Sequence, residues 1–274
     1  MVLGNSPARC PTGDGHLLAG GSHLTEILTQ REPARTPVLV TPTKPTSLGR
    51  VTILIPTKNE EAGIGQTLDA LPLEALDEAG YETEVIVVDG HSTDATRDIA
   101  AQKGAKVILQ KGKGKGWGFR SALPHITGDY LIMLDADGTY PAEAIPEFVK
   151  HVSNGSDVIM GSRFKGHIEA GAMKRTNKIG NWGLSTLATV LYGKRCTDVC
   201  TGMWAFKRDA VKTLKLNSLH YELEAELFAQ SAKAGLRIKE VPIVYRQRAG
   251  KSGLNSWKDG AKIAAKLLRK RVVK

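Results

Sequence analysis

Short apolar runs recur along the chain, with room for a helix between them. Val51-Thr52-Ile53-Leu54-Ile55-Pro56 is the first, Glu84-Val85-Ile86-Val87-Val88-Asp89 the second, and Ala105 to Leu109 the third. Tyr130-Leu131-Ile132-Met133-Leu134-Asp135 is the fourth, and Asp157 to Gly161 the fifth. Helical spacing fills Ala62 to Leu71. A helix start signal lies in Gly90-His91-Ser92-Thr93-Asp94, and that helix runs to about Lys103. Short strands alternating with helices predict βαβ units and a mostly parallel sheet. The strands are apolar along their length, which predicts helices on both faces.

The second half is less regular. Lys174 to Leu191 reads as a partly apolar helix, Thr201 to Phe206 as a strand, and Tyr221 to Ala234 as a helix closed by Gly235. Arg237 to Tyr245 alternates like a last strand. Trp257 to Arg271 predicts a two-faced helix. Trp257, Ala261, Ala264, Leu268 and Val272 share one side, and Lys258, Lys262, Lys266 and Arg269 the other.

Residues 1–48 differ in kind. Six of the twelve prolines fall there, with scattered Gly, Ser and Thr and only a weak helical patch near Leu24 to Leu28. This segment reads as a disordered or loosely attached extension. The expected organisation is therefore an extension over 1–48, a catalytic α/β domain over 49–245, and a basic amphipathic segment over 246–274.

Composition narrows the class. The chain has 274 residues, 41% hydrophobic and 24% charged, which excludes wholesale disorder. No apolar run approaches the ~18 residues of a membrane helix, and the N-terminus lacks a basic-then-apolar leader pattern. The expected location is cytoplasmic, soluble or peripherally attached to the cytoplasmic face of a membrane. Cys10, Cys196 and Cys200 are too few for a disulfide framework and have no second ligand pair for zinc. Net charge is +10, and residues 246–274 carry ten basic residues against the single acid Asp259. That asymmetry suits an anionic surface or serves solubility. No basic motif with interleaved aromatics supports nucleic-acid binding.

Polar residues cluster where strands end, which is where open α/β sheets bind ligands. Asp135-Ala136-Asp137-Gly138 puts two carboxylates one residue apart after a buried strand. Such a pair can share one hard divalent cation, Mg²⁺ or Mn²⁺, or simply cap the strand. Asp89 also ends a strand, suited either to a ribose or base or to a turn. Lys111-Gly112-Lys113-Gly114-Lys115-Gly116 is a basic glycine-rich loop that suits phosphates, though it is not a P-loop.

Together these motifs resemble family 2 glycosyltransferases. Ile55-Pro56-Thr57-Lys58-Asn59-Glu60 is similar to their opening motif, and Asp89-Gly90-His91-Ser92-Thr93-Asp94 to their second. Gly114-Lys115-Gly116 and Asp135-Ala136-Asp137 match their Gly-Lys-Gly and Asp-x-Asp. Gly161-Ser162-Arg163-Phe164 resembles the dolichyl-phosphate hexose (mannose or glucose) synthase branch. So do Asp198 with Thr201 to Phe206, Glu226, Val241-Pro242-Ile243, and Arg248-Ala249-Gly250-Lys251-Ser252. The resemblance spans Val51 to Lys258.

It implies a GT-A fold, a nucleotide-sugar donor (GDP-mannose or UDP-glucose) and bound Mg²⁺ or Mn²⁺. It places Pro56, Asn59, Glu60 and Asp89 at the nucleoside, Lys115 beside the donor, and Asp135 and Asp137 on metal and diphosphate. Arg163, Arg175, Arg248 and Ser252 would receive the phosphate of a polyprenyl or dolichyl phosphate acceptor. The implied reaction is an inverting in-line displacement. Asp137 and Arg163 would act in it, with Glu226 as base if the acceptor is an alcohol. A soluble enzyme with a phosphorylated small acid or a glycan as acceptor is the alternative. Two departures stand out: Thr139 replaces a frequent Gln, and no membrane helices follow the catalytic region.

Overall fold

The computed structural model describes residues 47–250 and 256–272. The extension expected over 1–48 falls outside them except for Ser47 and Leu48, as does Ser252. In chain order the elements are β1 (Gly49–Thr57), α1 (Ile64–Asp69), α2 (Leu73–Glu78), β2 (Tyr81–Asp89), α3 (Thr96–Gln102), β3 (Lys106–Leu109), α4 (Lys115–Ala122) and β4 (Tyr130–Met133). There follow α5 (Ile145–Ser153), β5 (Val158–Ile168), α6 (Arg175–Tyr192), β6 (Trp204–Lys207), α7 (Arg208–Thr213), α8 (Leu223–Lys233), β7 (Ile238–Tyr245) and α9 (Ser256–Val272).

One sheet runs in the order β3-β2-β1-β4-β6-β5-β7. It is parallel across β3, β2, β1 and β4, and again between β5 and β7. Only β6 runs antiparallel to both its neighbours. The expected mostly parallel sheet is therefore present, with one inverted strand. Because side chains alternate across a strand, Val51, Ile53 and Ile55 pack on one face with Ile64, Phe148 and Val149. Leu54 joins Ile86, Phe119 and Leu227 on the other. Both faces are covered, which is why these strands read as unbroken apolar runs.

α9 packs on α6 and α8. Ile263 and Leu267 are buried, as are Asp259 and Lys270, whereas Trp257 and Val272 stay more than four-fifths exposed. The larger branched side chains go inward, and a buried carboxylate, Glu226, draws Lys270 in with them at 2.5 Å. No helix among the described residues is long and apolar enough to cross a membrane.

Candidate active site

The carboxyl ends of β1, β2 and β4 lie side by side, so their polar residues converge. Register sets Thr57 opposite Asp89. Asn59 sits at φ 54°, a left-handed conformation that asparagine tolerates better than most residues. This turn lets the two motifs bind each other: Asn59 N–H donates to Ser92 Oγ at 2.8 Å, and Thr93 N–H donates to Asn59 Oδ1 at 2.9 Å. Glu60 N–H donates to Thr96 Oγ1 at 2.9 Å. Asp89 is wholly buried, and its Oδ2 accepts from Ser92 N–H at 3.0 Å. Its Oδ1 and the neighbouring Thr57 Oγ1 are buried without a hydrogen-bond partner. Unsatisfied buried polar atoms are costly, so this pair is a candidate place for a ligand donor.

Beyond β4, Asp135 and Asp137 each meet a cation. Lys115 Nζ lies 2.5 Å from Asp135 Oδ1 and 2.5 Å from Glu224 Oε1. Burial alone would lower the Lys115 pKa, but the two carboxylates outweigh it and hold the ammonium above its ordinary value. Asp137 is almost fully buried; its Oδ2 pairs with Arg248 at 2.6 Å, and Arg248 also reaches Glu60. Burial and the charge of Asp135 push the Asp137 carboxyl up, against the pull of Arg248. Thr139 does not point away: its hydroxyl donates to Asp137 Oδ1 at 2.6 Å and fixes the carboxylate.

Among the described residues no three His, Cys, Asp or Glu side chains form a metal cage. Asp135 and Asp137 supply two hard oxygen ligands, and phosphate oxygens and water can supply the rest, as hard divalent cations often require. Four carboxylates (Glu60, Asp135, Asp137, Glu224) pair with Lys115 and Arg248, and that negative excess fits a dication. Gly202 packs tightly beside them, because a Cβ there would press on Asp135 Oδ2 and force that carboxylate to shift.

A model of glycosyl transferase family 2 matches residues 52–215. The chain belongs to that family. It is 39% identical over 212 residues to the low-salt glycan biosynthesis hexosyltransferase of Haloferax volcanii, covering 77% of this chain and 51% of that protein. The chain thus spans about half the length of that relative. It is 34% identical to the dolichyl-phosphate hexose transferase of the same organism, covering 79% and 92% of the two chains. An undecaprenyl-phosphate mannosyltransferase of Micrococcus luteus is 30% identical over 73% of this chain and 84% of its own. Among solved structures, glucosyl-3-phosphoglycerate synthase from Mycobacterium tuberculosis with Mn²⁺, UDP and product superposes with a TM-score of 0.67 at 22% identity. That superposition covers 82% of this chain and 81% of the other, and it establishes a shared fold.

In this member of the family the strand ends bring together Pro56, Asn59, Glu60, Asp89, Lys115, Asp135, Asp137 and Arg248. Three other residues of interest have different surroundings. Arg175 is exposed at the start of α6. Arg163 is buried under the site, its Nε and one terminal nitrogen donating to Asp198 at 2.7 and 2.6 Å. Glu226 is wholly buried and faces α9, accepting from the amides of Asn217 and Ser218 and pairing with Lys270. The carboxylate of α8 that reaches the crevice is Glu224, two residues earlier. Leu223-Glu224-Ala225-Glu226 offers no signal for choosing between the two, because which face of α8 looks at the sheet is a tertiary fact.

Proposed function

We propose that this protein transfers a hexose, with inversion, from a nucleotide-sugar to the phosphate of a polyprenyl phosphate, using a divalent cation. The observation that carries this is the crevice itself. A buried carboxylate and a hydroxyl await a ligand at the nucleoside end. Two adjacent carboxylates balanced by Lys115 and Arg248 lie at the diphosphate end. The relatives named for dolichyl and undecaprenyl phosphates support the acceptor class.

Each residue then has a stated task. Asp89 and Thr57 accept and donate hydrogen bonds to the nucleoside. Asp135 and Asp137 would hold Mg²⁺ or Mn²⁺, which when bound offsets the charge of the departing diphosphate. Lys115 leaves Asp135 for a phosphate oxygen while Glu224 keeps it oriented. Arg248 borders the same carboxylates and can exchange Asp137 for a phosphate, which guanidinium binds well. A phosphate monoester, with a second pKa near ~6, is already an anionic nucleophile and needs no base. That agrees with Glu226 lying outside the crevice. Arg163 supports the site from beneath through Asp198.

An exposed apolar stripe on α6, Ile179, Trp182 and Val190, adjoins the basic α9 and favours peripheral attachment to an anionic membrane. The deciding experiment supplies radiolabelled UDP-glucose or GDP-mannose, polyprenyl phosphate and Mn²⁺ or Mg²⁺ to purified protein. Label should enter the organic phase from one donor, and Asp137→Ala or chelator should abolish it. Label that stays in the aqueous phase with every donor defeats the proposal.

A further inference from the structure

The base of the crevice is tied to the C-terminal helix through one buried carboxylate. Glu226 projects from α8 away from the site and is wholly buried. Its oxygens accept from Asn217 N–H at 2.9 Å and Ser218 N–H at 2.6 Å. On its other side Lys270 Nζ of α9 pairs with it at 2.5 Å, and Lys266 Nζ stands 4.0 Å away. Both lysines also brace the same loop directly. Lys266 donates to Asn217 Oδ1 at 3.0 Å, and Lys270 donates to Lys215 O at 3.0 Å.

The loop so held is the surface against which the Gly-Lys-Gly segment rests. Gly116 N–H donates to Leu219 O at 3.0 Å. A Cβ on Gly116 would strike Ser218 O, and one on Gly114 would strike the His220 ring. These two glycines flank Lys115, whose ammonium reaches Asp135 and Glu224. Backbone packed this closely leaves little slack, so displacing residues 217–220 displaces Lys115.

We propose that Glu226, with Lys270 and Lys266 of α9, is a positioning group that seats residues 217–220 against Gly114-Lys115-Gly116 and thereby sets Lys115 for the donor diphosphate. The contacts run without a gap from α9 to the crevice: Lys270, Glu226, Ser218, Leu219, Gly116, Lys115. An isolated buried carboxylate would be costly, and burial would raise its pKa. The Lys270 ammonium and the Ser218 amide outweigh that and hold Glu226 ionised. Removing the ammonium therefore loosens the carboxylate and the amides it grips. The role in donor binding rests on the function proposed above; the mechanical link does not.

The test separates the two. Amide hydrogen exchange of the full chain is compared for wild type, Lys270→Met, Lys270→Arg and Lys266→Met. In Lys270→Met, exchange should quicken about tenfold at Ser218 and Leu219 and also at Gly116 and Trp117. β1 and β4 should stay protected, and Lys270→Arg should restore the wild-type pattern. Faster exchange confined to 217–219, with Gly116 and Trp117 unchanged, overturns the link. Lys266→Met, at a lysine 4.0 Å from Glu226 rather than in contact with it, gives the same reading with a smaller change if Lys270→Met fails to fold. In transfer assays the donor KM should rise about fivefold while the acceptor KM holds within about twofold. Equal changes in both overturn the positioning role even if the exchange result stands. A chain that transfers nothing leaves the exchange result to decide the link alone.

Discussion

Asp198 and Arg163 show how a charged residue of the sequence becomes a support beneath a site. Asp198 is fully buried, and it holds the Arg163 guanidinium by two nitrogens while also accepting from the Arg163 amide at 3.0 Å. The same guanidinium lies 5.0 Å over the ring of Tyr245, which packs edge-on against Tyr140. Tyr140 hydroxyl in turn accepts from Gly202 N–H beside Asp135. Removing one member of a buried pair leaves an unpaired charge, which costs roughly 3–5 kcal/mol. Asp198→Ala should lower unfolding stability by that amount in urea titration, and a loss under 1 kcal/mol would exclude this support role. Residues at strand ends were legible because the pattern of apolar runs fixes where strands stop: Asp89, Asp135 and Asp137 are found there. Glu224 and Tyr140 were not, since their value comes from Lys115 and Gly202 approaching across the fold.

At the scale of elements, the parallel half-sheet followed directly from alternation of strand and helix. β6 did not, because an isolated four-residue strand carries no mark of its direction. Its inversion sets Trp204 opposite Met133 and Met160, between β4 and β5. α9 is the two-faced helix expected, but the face it buries carries Ile263 and Leu267 together with Lys270, because the Glu226 carboxylate lies beneath it. The edge pair β5 and β7 is pinned by a different ion pair. Asp157, at the entry to β5, accepts from Arg237 N–H, Nε and a terminal nitrogen, each at 3.0 Å. The hydrogen bonds from Arg237 pull the Asp157 carboxyl down to about 2, against a mild opposing effect of burial. A depressed folded pKa gives stability that is complete above the ordinary value of 3.8 and is lost as pH falls toward about 2. Arg237 is well exposed, so solvent screening keeps the contribution small. Urea midpoints at pH 5 and pH 2.5 should therefore differ less in Asp157→Asn than in wild type. Equal differences would show that the pair does not contribute.

Across the whole molecule the net charge is concentrated in one part of the sequence. Of the total of +10, residues 246–274 carry +9, and one of them, Arg248, enters the crevice to pair with Glu60 and Asp137. α6 and α9 lie side by side, joined by Ser256 Oγ to Asn177 at one end and Tyr192 hydroxyl to Leu267 O at the other. Between and beyond those links Ile179, Trp182, Val190, Trp257 and Val272 are left exposed. Clustered apolar side chains next to a cationic helix suit the boundary of an anionic bilayer, where each basic residue near the surface contributes about 1 kcal/mol and each buried large apolar side chain about 1.5–3 kcal/mol. The two contributions respond differently to salt. Exposed charges are screened once ionic strength shortens the Debye length to a few ångströms, whereas insertion of Trp182 and Ile179 is not. Sedimentation with vesicles containing phosphatidylglycerol should therefore show wild-type binding that weakens from 50 mM to 500 mM salt by about tenfold or more. Ile179→Ser with Trp182→Ser should weaken binding at both salt concentrations by a similar factor, leaving the salt dependence intact. Binding that ignores salt removes the electrostatic role of the basic tail. Binding that ignores the two serines means the α6 stripe serves a protein contact rather than a membrane one.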